Sequence, residues 1–210
     1  MIVLENVSKS FKKEMVIHNL SVTFESGKIT GIIGWNGSGK TVLFRLICGL
    51  MTPDSGVIRV NDEIIGKDVD FPSDIGIIIE TPGFIKNQTA RQALTELASI
   101  RRRIGREEID AVIEKVGLDP NNKKKVGKYS LGMRQRLGIA QAIMEDPDVL
   151  VLDEPMNGLD KKGVEDMRIL FSELKEKGKT ILLASHNRED IEVLCDIVYE
   201  MDKGKLVPVL

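Results

Sequence analysis

Apolar positions along the chain change period several times, and each change marks an element. Ile2 to Glu5, Val16 to Glu25 and Lys28 to Ile33 are rich in β-branched residues and largely alternate, which predicts three strands. A glycine-rich turn, Gly34 to Gly39, leads into a helix predicted from Lys40 to about Gly49, with Val42, Leu43, Leu46, Ile47 and Leu50 on one face. Thr52-Pro53-Asp54-Ser55-Gly56 reads as a turn, Val57 to Val60 and Ile75 to Ile79 as two further strands, and Pro82 and Gly83 break the pattern. From Thr89 to Ile143 the spacing is helical. Thr89 caps a helix over 90–101, Glu107 to Val116 forms a second, and Ser130 precedes a third that ends at Ile143. This block lacks strand signals and is expected to be a helical insertion. Val149 to Leu152 then predicts a buried strand, and Lys161 to Lys177 a long helix carrying Val164, Met167, Phe171 and Leu174. Thr180 to Ala184 predicts another buried strand, Ile191 to Cys195 a helical segment, and Val198 to Met201 with Lys205 to Val209 a hairpin across Lys203-Gly204. The alternation of strand and helix predicts an α/β fold with a mixed, mainly parallel sheet covered by helices on both faces.

Two clusters within this frame carry chemistry. Gly34-Trp35-Asn36-Gly37-Ser38-Gly39-Lys40-Thr41 matches GxxxxGK[ST], the Walker A pattern, with a strand before it and a helix after it. Glycines let backbone N–H groups wrap closely around phosphates, and the helix N-terminus adds a favourable dipole. Lys40 can reach the outer phosphates, and Thr41 offers a hydroxyl to Mg²⁺. The second cluster is Val149-Leu150-Val151-Leu152-Asp153-Glu154, a buried strand that ends in two acids. Successive side chains on a strand point to opposite sides, so the two acids have different tasks. Asp153 is placed to hold Mg²⁺, and Glu154 is the candidate to polarise an attacking water.

Composition narrows the class. The chain has 210 residues, 42% apolar and 30% charged, enough for a sizeable core. Thirty basic against thirty-two acidic residues give a net charge of −2, so no global basic field is available and no nucleic-acid partner is expected. Cys48 and Cys195 lie far apart without CxxC spacing, which excludes a disulfide framework and a zinc ribbon and suits a reducing compartment. Two histidines are too few for a His-rich metal site. No run approaches the ~18 apolar residues of a membrane span, and the first residues do not read as a signal peptide. A soluble, intracellular protein is expected, and any membrane role would have to come through a partner.

A third cluster, Tyr129-Ser130-Leu131-Gly132-Met133-Arg134-Gln135-Arg136, resembles the LSGGQ signature of ABC-type ATPases. Ser130 and Gly132 align with the serine and second glycine; Leu131 replaces the first glycine, and Tyr129 and Met133 replace the outer residues. The resemblance extends along the whole chain and implies a P-loop (RecA-like) core with an antiparallel β subdomain over 1–82 and 146–210, and a helical signature subdomain over 83–145. It implies that Phe11 stacks on adenine and Val16 flanks it, that Gly34, Trp35, Asn36, Gly37, Ser38, Gly39, Lys40, Thr41 and Val42 hold the nucleotide, and that Thr41, Glu80 and Asp153 serve Mg²⁺. Glu154, His186 and Lys40 would be the catalytic set, with His186 bridging the γ-phosphate and Glu154. Ser130, Gly132 and Asp160 would act across a head-to-tail dimer. Plainer readings stand beside these: Phe11 as a core aromatic, Ser130 and Asp160 as helix caps, His186 as a structural residue. Glu80 stands where most relatives have glutamine, and Trp35 where the loop usually has proline, its side chain expected to point away from the phosphates.

Ile79-Glu80-Thr81-Pro82-Gly83-Phe84 and the Tyr129 segment look most like ATPases of bacitracin- or lantibiotic-type peptide export and resistance. The implied function is ATP hydrolysis that powers export through separate membrane subunits. The chain would act as a homodimer, or a heterodimer with a paralogue, on the inner face of the membrane. The alternative is a soluble ATP-driven binding switch not coupled to a transporter. Phe84 and Ile85 are read either as local packing or as part of the groove that receives a membrane subunit, and Arg101-Arg102-Arg103 as a solvated face or a contact for an acidic partner or membrane surface.

Overall fold

The protein is described here from a computed structural model that covers residues 1–12 and 14–209. Its N-terminal strands β1 (Ile2–Phe11) and β2 (Glu14–Phe24) pair antiparallel, and β4 (Ser55–Val60) and β5 (Glu63–Ile64) extend them into a four-stranded sheet of order β2-β1-β4-β5. Ile2 stands opposite both Phe24 and Val60 in this sheet, and all three are buried. The second sheet has six strands in the order β10 (Lys205–Pro208), β9 (Ile197–Asp202), β3 (Ile29–Ile33), β8 (Thr180–Ala184), β7 (Val149–Asp153), β6 (Ile75–Ile78). All of its pairings are parallel except β9 with β10, which form the predicted hairpin.

β7 and β8 are buried along their full length, and period-two alternation divides their side chains between two cores. Val149, Val151, Leu182 and Ala184 face α1 (Lys40–Ile47) and the antiparallel sheet, where Leu43, Phe44, Leu46 and Ile47 are fully enclosed. Leu150, Leu152, Ile181 and Leu183 face the core shared with the remaining helices. These are α2 (Ala90–Arg101), α3 (Arg106–Lys115), α4 (Leu131–Ile143), α5 (Lys161–Glu176) and α6 (Arg188–Leu194). Helix α1 is thus held between two sheets, which fixes the loop before it.

The helical block is tied together and to the sheet by specific contacts. Arg91 of α2 donates twice to Asp110 of α3, at 2.5 and 3.0 Å, and this bond holds the Asp110 carboxyl below the usual range. A Cβ at Gly76 of β6 would strike the backbone carbonyl of Ala142 in α4, so glycine permits that close approach. Behind the sheet, Arg168 of α5 donates to buried Asp190 of α6 at 2.6 and 3.0 Å.

The predicted strands and helices are all present, with shifted ends. β1 runs on to Phe11 through irregular pairing. α1 stops at Ile47 because Gly49 turns to φ +72°. α6 begins at Arg188 rather than Ile191, since the Asn187 side chain accepts from Glu189 N–H and starts the helix earlier. The two-residue β5 and a 3-10 turn at Val126–Lys128 carry no sequence signal of their own. The basic run is not free: Arg101 binds Glu145 and the Ser73 carbonyl, and Arg103 lies 3.8 Å from Asp74. Phe84 packs on the core while Ile85 is exposed. Leu210 lies outside the described residues.

Candidate active site

The site lies beyond the carboxyl ends of β3, β7 and β8, where open parallel sheets place their ligands. The chain leaves β3 through Gly34 at φ +146° and enters α1 through Gly39 at φ +111°. At Gly34 an added Cβ would collide with the Met201 carbonyl oxygen; at Gly39 it would come within 2.9 Å of Met201 Cε and 3.2 Å of the Val16 oxygen. Between them the loop closes with Ser38 N–H donating to the Trp35 oxygen at 3.0 Å. α2, α4, α5 and α6 have side-chain caps, whereas α1 has none, so its first N–H groups face the cavity uncapped. Lys40 Nζ folds back over the loop and donates to the oxygens of Gly34 at 2.6 Å and Trp35 at 3.2 Å. Ser38 Oγ is buried without a partner among the described residues. An orphaned hydroxyl beside uncapped amides is a set of donors suited to phosphate oxygens.

The acids converge from the neighbouring strands. The Thr41 hydroxyl donates to Asp153 Oδ2 at 2.8 Å. Burial pushes the Asp153 carboxyl above its ordinary range; the Thr41 bond and the Lys40 charge oppose this, and Glu80 reinforces it. Two hard oxygen donors from Thr41 and Asp153, one of them a carboxylate only 9% exposed, suit Mg²⁺, which is held by one or two side chains plus substrate phosphates. No cluster of three or more His, Cys, Asp or Glu suited to a metal occurs among the described residues.

Glu154 follows at φ +51°, its N–H bonded to the Ala184 oxygen at 2.9 Å. Its Oε2 lies 2.8 Å from Nδ1 of His186, one residue past Ser185 at the end of β8. An ionised carboxylate only accepts, so this contact puts the proton on Nδ1. Glu80, also in the left-handed region at φ +62°, is held by Arg45 Nη2 at 2.5 Å through Oε1.

A cavity of about 660 Å³ gathers Lys40, Thr41, Glu80, Asp153 and Glu154, whereas His186 reaches Glu154 from outside its lining. Phe11 and Val16 line it, together with Asn36, Gly37, Gly39, Lys40, Thr41 and Val42 of the loop and α1 and the acids Glu80, Asp153 and Glu154. Phe11 is exposed and not a core aromatic; Lys9 Nζ stands 5.8 Å from its ring centre. Trp35 is 81% exposed and lines a separate groove with Gly34 and His186. Ser130, Gly132 and Asp160 are not brought into the P-loop cavity; they line another cavity together. Ser130 Oγ accepts from Met133 N–H at 3.2 Å and Asp160 Oδ1 from Gly163 N–H at 2.9 Å, so both do cap their helices. Sequence reasoning missed Arg45 and Gln135. Gln135 is buried on α4, lines the cavity and donates to the Glu154 oxygen at 3.2 Å. The Arg-Gln-Arg continuation of the third cluster was the available signal for Gln135; nothing marked Arg45.

The ABC transporter family profile matches residues 17–157. The chain belongs to the ABC transporter family. It is 45% identical over 206 residues to the ABC transporter ATP-binding protein YybJ of Bacillus subtilis (strain 168), covering 98% of this chain and 94% of that one. It is 38% identical to the bacitracin transport ATP-binding protein BcrA of Enterococcus faecalis, over 97% of this chain and 67% of BcrA. It is 34% identical to the lantibiotic transport ATP-binding protein SrtF of Streptococcus pyogenes, over 99% of this chain and 89% of SrtF. A solved ATP-binding subunit of an ABC transporter has the same fold, with TM-score 0.88, 25% identity and coverage of 98% of this chain and 88% of that one. A dimeric post-hydrolysis ATP-binding cassette bound to ADP and Pi matches in fold at TM-score 0.88 and 23% identity, over 98% of this chain and 96% of that one. This ABC protein is therefore an ATP-binding, ATP-hydrolysing subunit, and the transporter reading stands over the soluble switch. No helix among the described residues is long and apolar enough to cross a membrane.

Proposed function

We propose that two copies of this chain, or one copy and a paralogue, bind two MgATP between them and drive export through separate membrane subunits. The observation that carries this reading is the separation of two half-sites. The P-loop, Asp153 and Glu154 line one cavity, while Ser130 and Gly132 line another on the same chain. A second chain, arranged head to tail, would bring Ser130 and the N-terminus of α4 to the phosphates held by the first P-loop.

Phe11 stacks on the adenine and Val16 flanks it. The loop from Gly34 to Val42 and Lys40 grip the phosphates. Thr41 and Asp153 hold Mg²⁺, with Glu80 as a further oxygen donor, and the metal supplies positive charge to the phosphate oxygens. Glu154 orients the attacking water and accepts its proton, and His186 fixes the Glu154 carboxylate and meets the γ-phosphate. Once the bond to the γ-phosphate is broken, the link between the two chains weakens and they part. The segment 83–145 carries that motion to the membrane subunits, with Ile85 on its exposed side. The names of BcrA and SrtF favour an antibiotic peptide as the cargo, and coupling to membrane subunits would place the chain at the cytoplasmic face of the membrane.

Glu154→Gln is the decisive variant. It is expected to lower kcat at least ~100-fold, keep MgATP binding and accumulate as a dimer in gel filtration with MgATP. Combining it with Ser130→Arg is expected to retain ATP binding by the monomer and abolish the dimer. A double variant that still pairs would remove Ser130 from the interface.

A further inference from the structure

Three carboxylates, Glu80, Asp153 and Glu154, line a cavity whose ligand is a polyanion. Lys40 stands on the loop side, bonded to backbone oxygens, and of these acids its charge favours Asp153. Asp153 is bonded to Thr41 and Glu154 to His186, which leaves Glu80, the most exposed of the three, as the acid whose partner remains to be named. The structure gives it a counter-charge from an unexpected place. Arg45 sits on the last turn of α1, about one turn beyond the P-loop, and its Nη2 donates to Glu80 Oε1 at 2.5 Å. That single contact spans 35 residues of sequence and joins the P-loop helix directly to the loop that leads into the helical block. It engages only one carboxylate oxygen.

We propose that Arg45 is a positioning residue for nucleotide binding: it holds the Glu80 carboxylate against α1 and cancels its charge, which permits an acid on this wall of the MgATP cavity. The inference rests on the reading of this cavity as the MgATP site. A glutamine at position 80 would need no such partner, because an uncharged amide does not repel phosphate. Arg45 and Glu80 therefore act as a pair. Removing the cation alone leaves an unpaired carboxylate beside the ligand, whereas removing both charges restores neutrality.

The test is calorimetric titration of the full chain with Mg-AMPPNP, which is not turned over, on wild type, Arg45→Met and Arg45→Met with Glu80→Gln. Arg45→Met is expected to weaken binding ~10-fold or more, a change of about 1.4 kcal/mol. The double variant is expected to recover at least half of that loss on a logarithmic scale. Raising the ionic strength should narrow the gap between wild type and Arg45→Met. Thermal melting of the nucleotide-free proteins separates folding from binding. The pair is largely exposed, so Tm should change by only a few degrees. Arg45→Gln replaces the methionine variant if that one does not fold. Wild type that ignores Mg-AMPPNP would overturn the reading of the cavity itself. Wild type that binds, with a single variant binding within ~3-fold of it, or a double variant as weak as the single one, would overturn the role of Arg45.

Discussion

Asp153 shows how a single residue trades stability for chemistry. Its carboxyl is buried and pushed above the ordinary range, so the folded protein binds that proton more tightly than the unfolded chain does. Ionisation therefore weakens the fold as pH rises through the raised value. Asp153→Asn keeps an acceptor for the Thr41 hydroxyl and removes the charge. It is expected to raise the Tm of the nucleotide-free protein at pH 7 by about 2–4 °C, while abolishing Mg²⁺-dependent turnover. A lower Tm in a melting experiment would mean that the aspartate stabilises the empty site. Most residues of this site were legible in the sequence because phosphate chemistry constrains spacing: Gly34, Lys40, Thr41, Asp153 and Glu154 each follow from a backbone need or a strand end. Arg45 and Gln135 were not, because no spacing rule links a charge on α1 to a loop 35 residues away, or an amide on α4 to a carbonyl at the end of β7.

At the scale of elements, the helices whose capping residue was recognised in the sequence were read most closely. Thr89 and Ser130 fix the starts of α2 and α4 to the residue, since each cap accepts from the N–H three positions on. The ends of β1 and the existence of β5 depend on partners elsewhere in the chain, and local pattern does not contain them. Close packing between elements was also hidden. Gly76 looks like a weak point in a strand, yet it lets the Ala142 turn of α4 settle on β6. Gly76→Ala puts a methyl against backbone that cannot rotate away. The expected loss is about 3 kcal/mol, read as a lower urea midpoint with unchanged slope. A midpoint equal to wild type would show that α4 can lift without cost.

For the whole molecule, sheet order was the least legible property. β3 comes early in the chain but lies between β8 and β9, which come last. Only the parallel character followed from the alternation of strands and helices. The assembled structure is also held by carboxylates that connect distant segments. Asp54 is kept below its usual range by Lys9, Asp110 by Arg91 and Glu189 by Arg168. Burial pushes Asp196 up, but the Ile29 N–H and Lys175 outweigh it and leave it depressed. A depressed carboxyl contributes stability above its unfolded value and loses it as pH falls through the folded one. The urea midpoint should thus stay nearly level from pH 7 to about 5 and drop below about pH 4, with a smaller drop in high salt. A level profile down to pH 3 would contradict these assignments.

Trp35, set on the rim of the P-loop and 81% exposed, is the one tryptophan in the chain. Its indole stands in water, while its carbonyl oxygen receives the Lys40 ammonium at 3.2 Å. The protein therefore carries an intrinsic fluorophore on the loop assigned above to the phosphates. Titration with MgATP is expected to shift or quench its emission in unlabelled material, against a background of only two tyrosines.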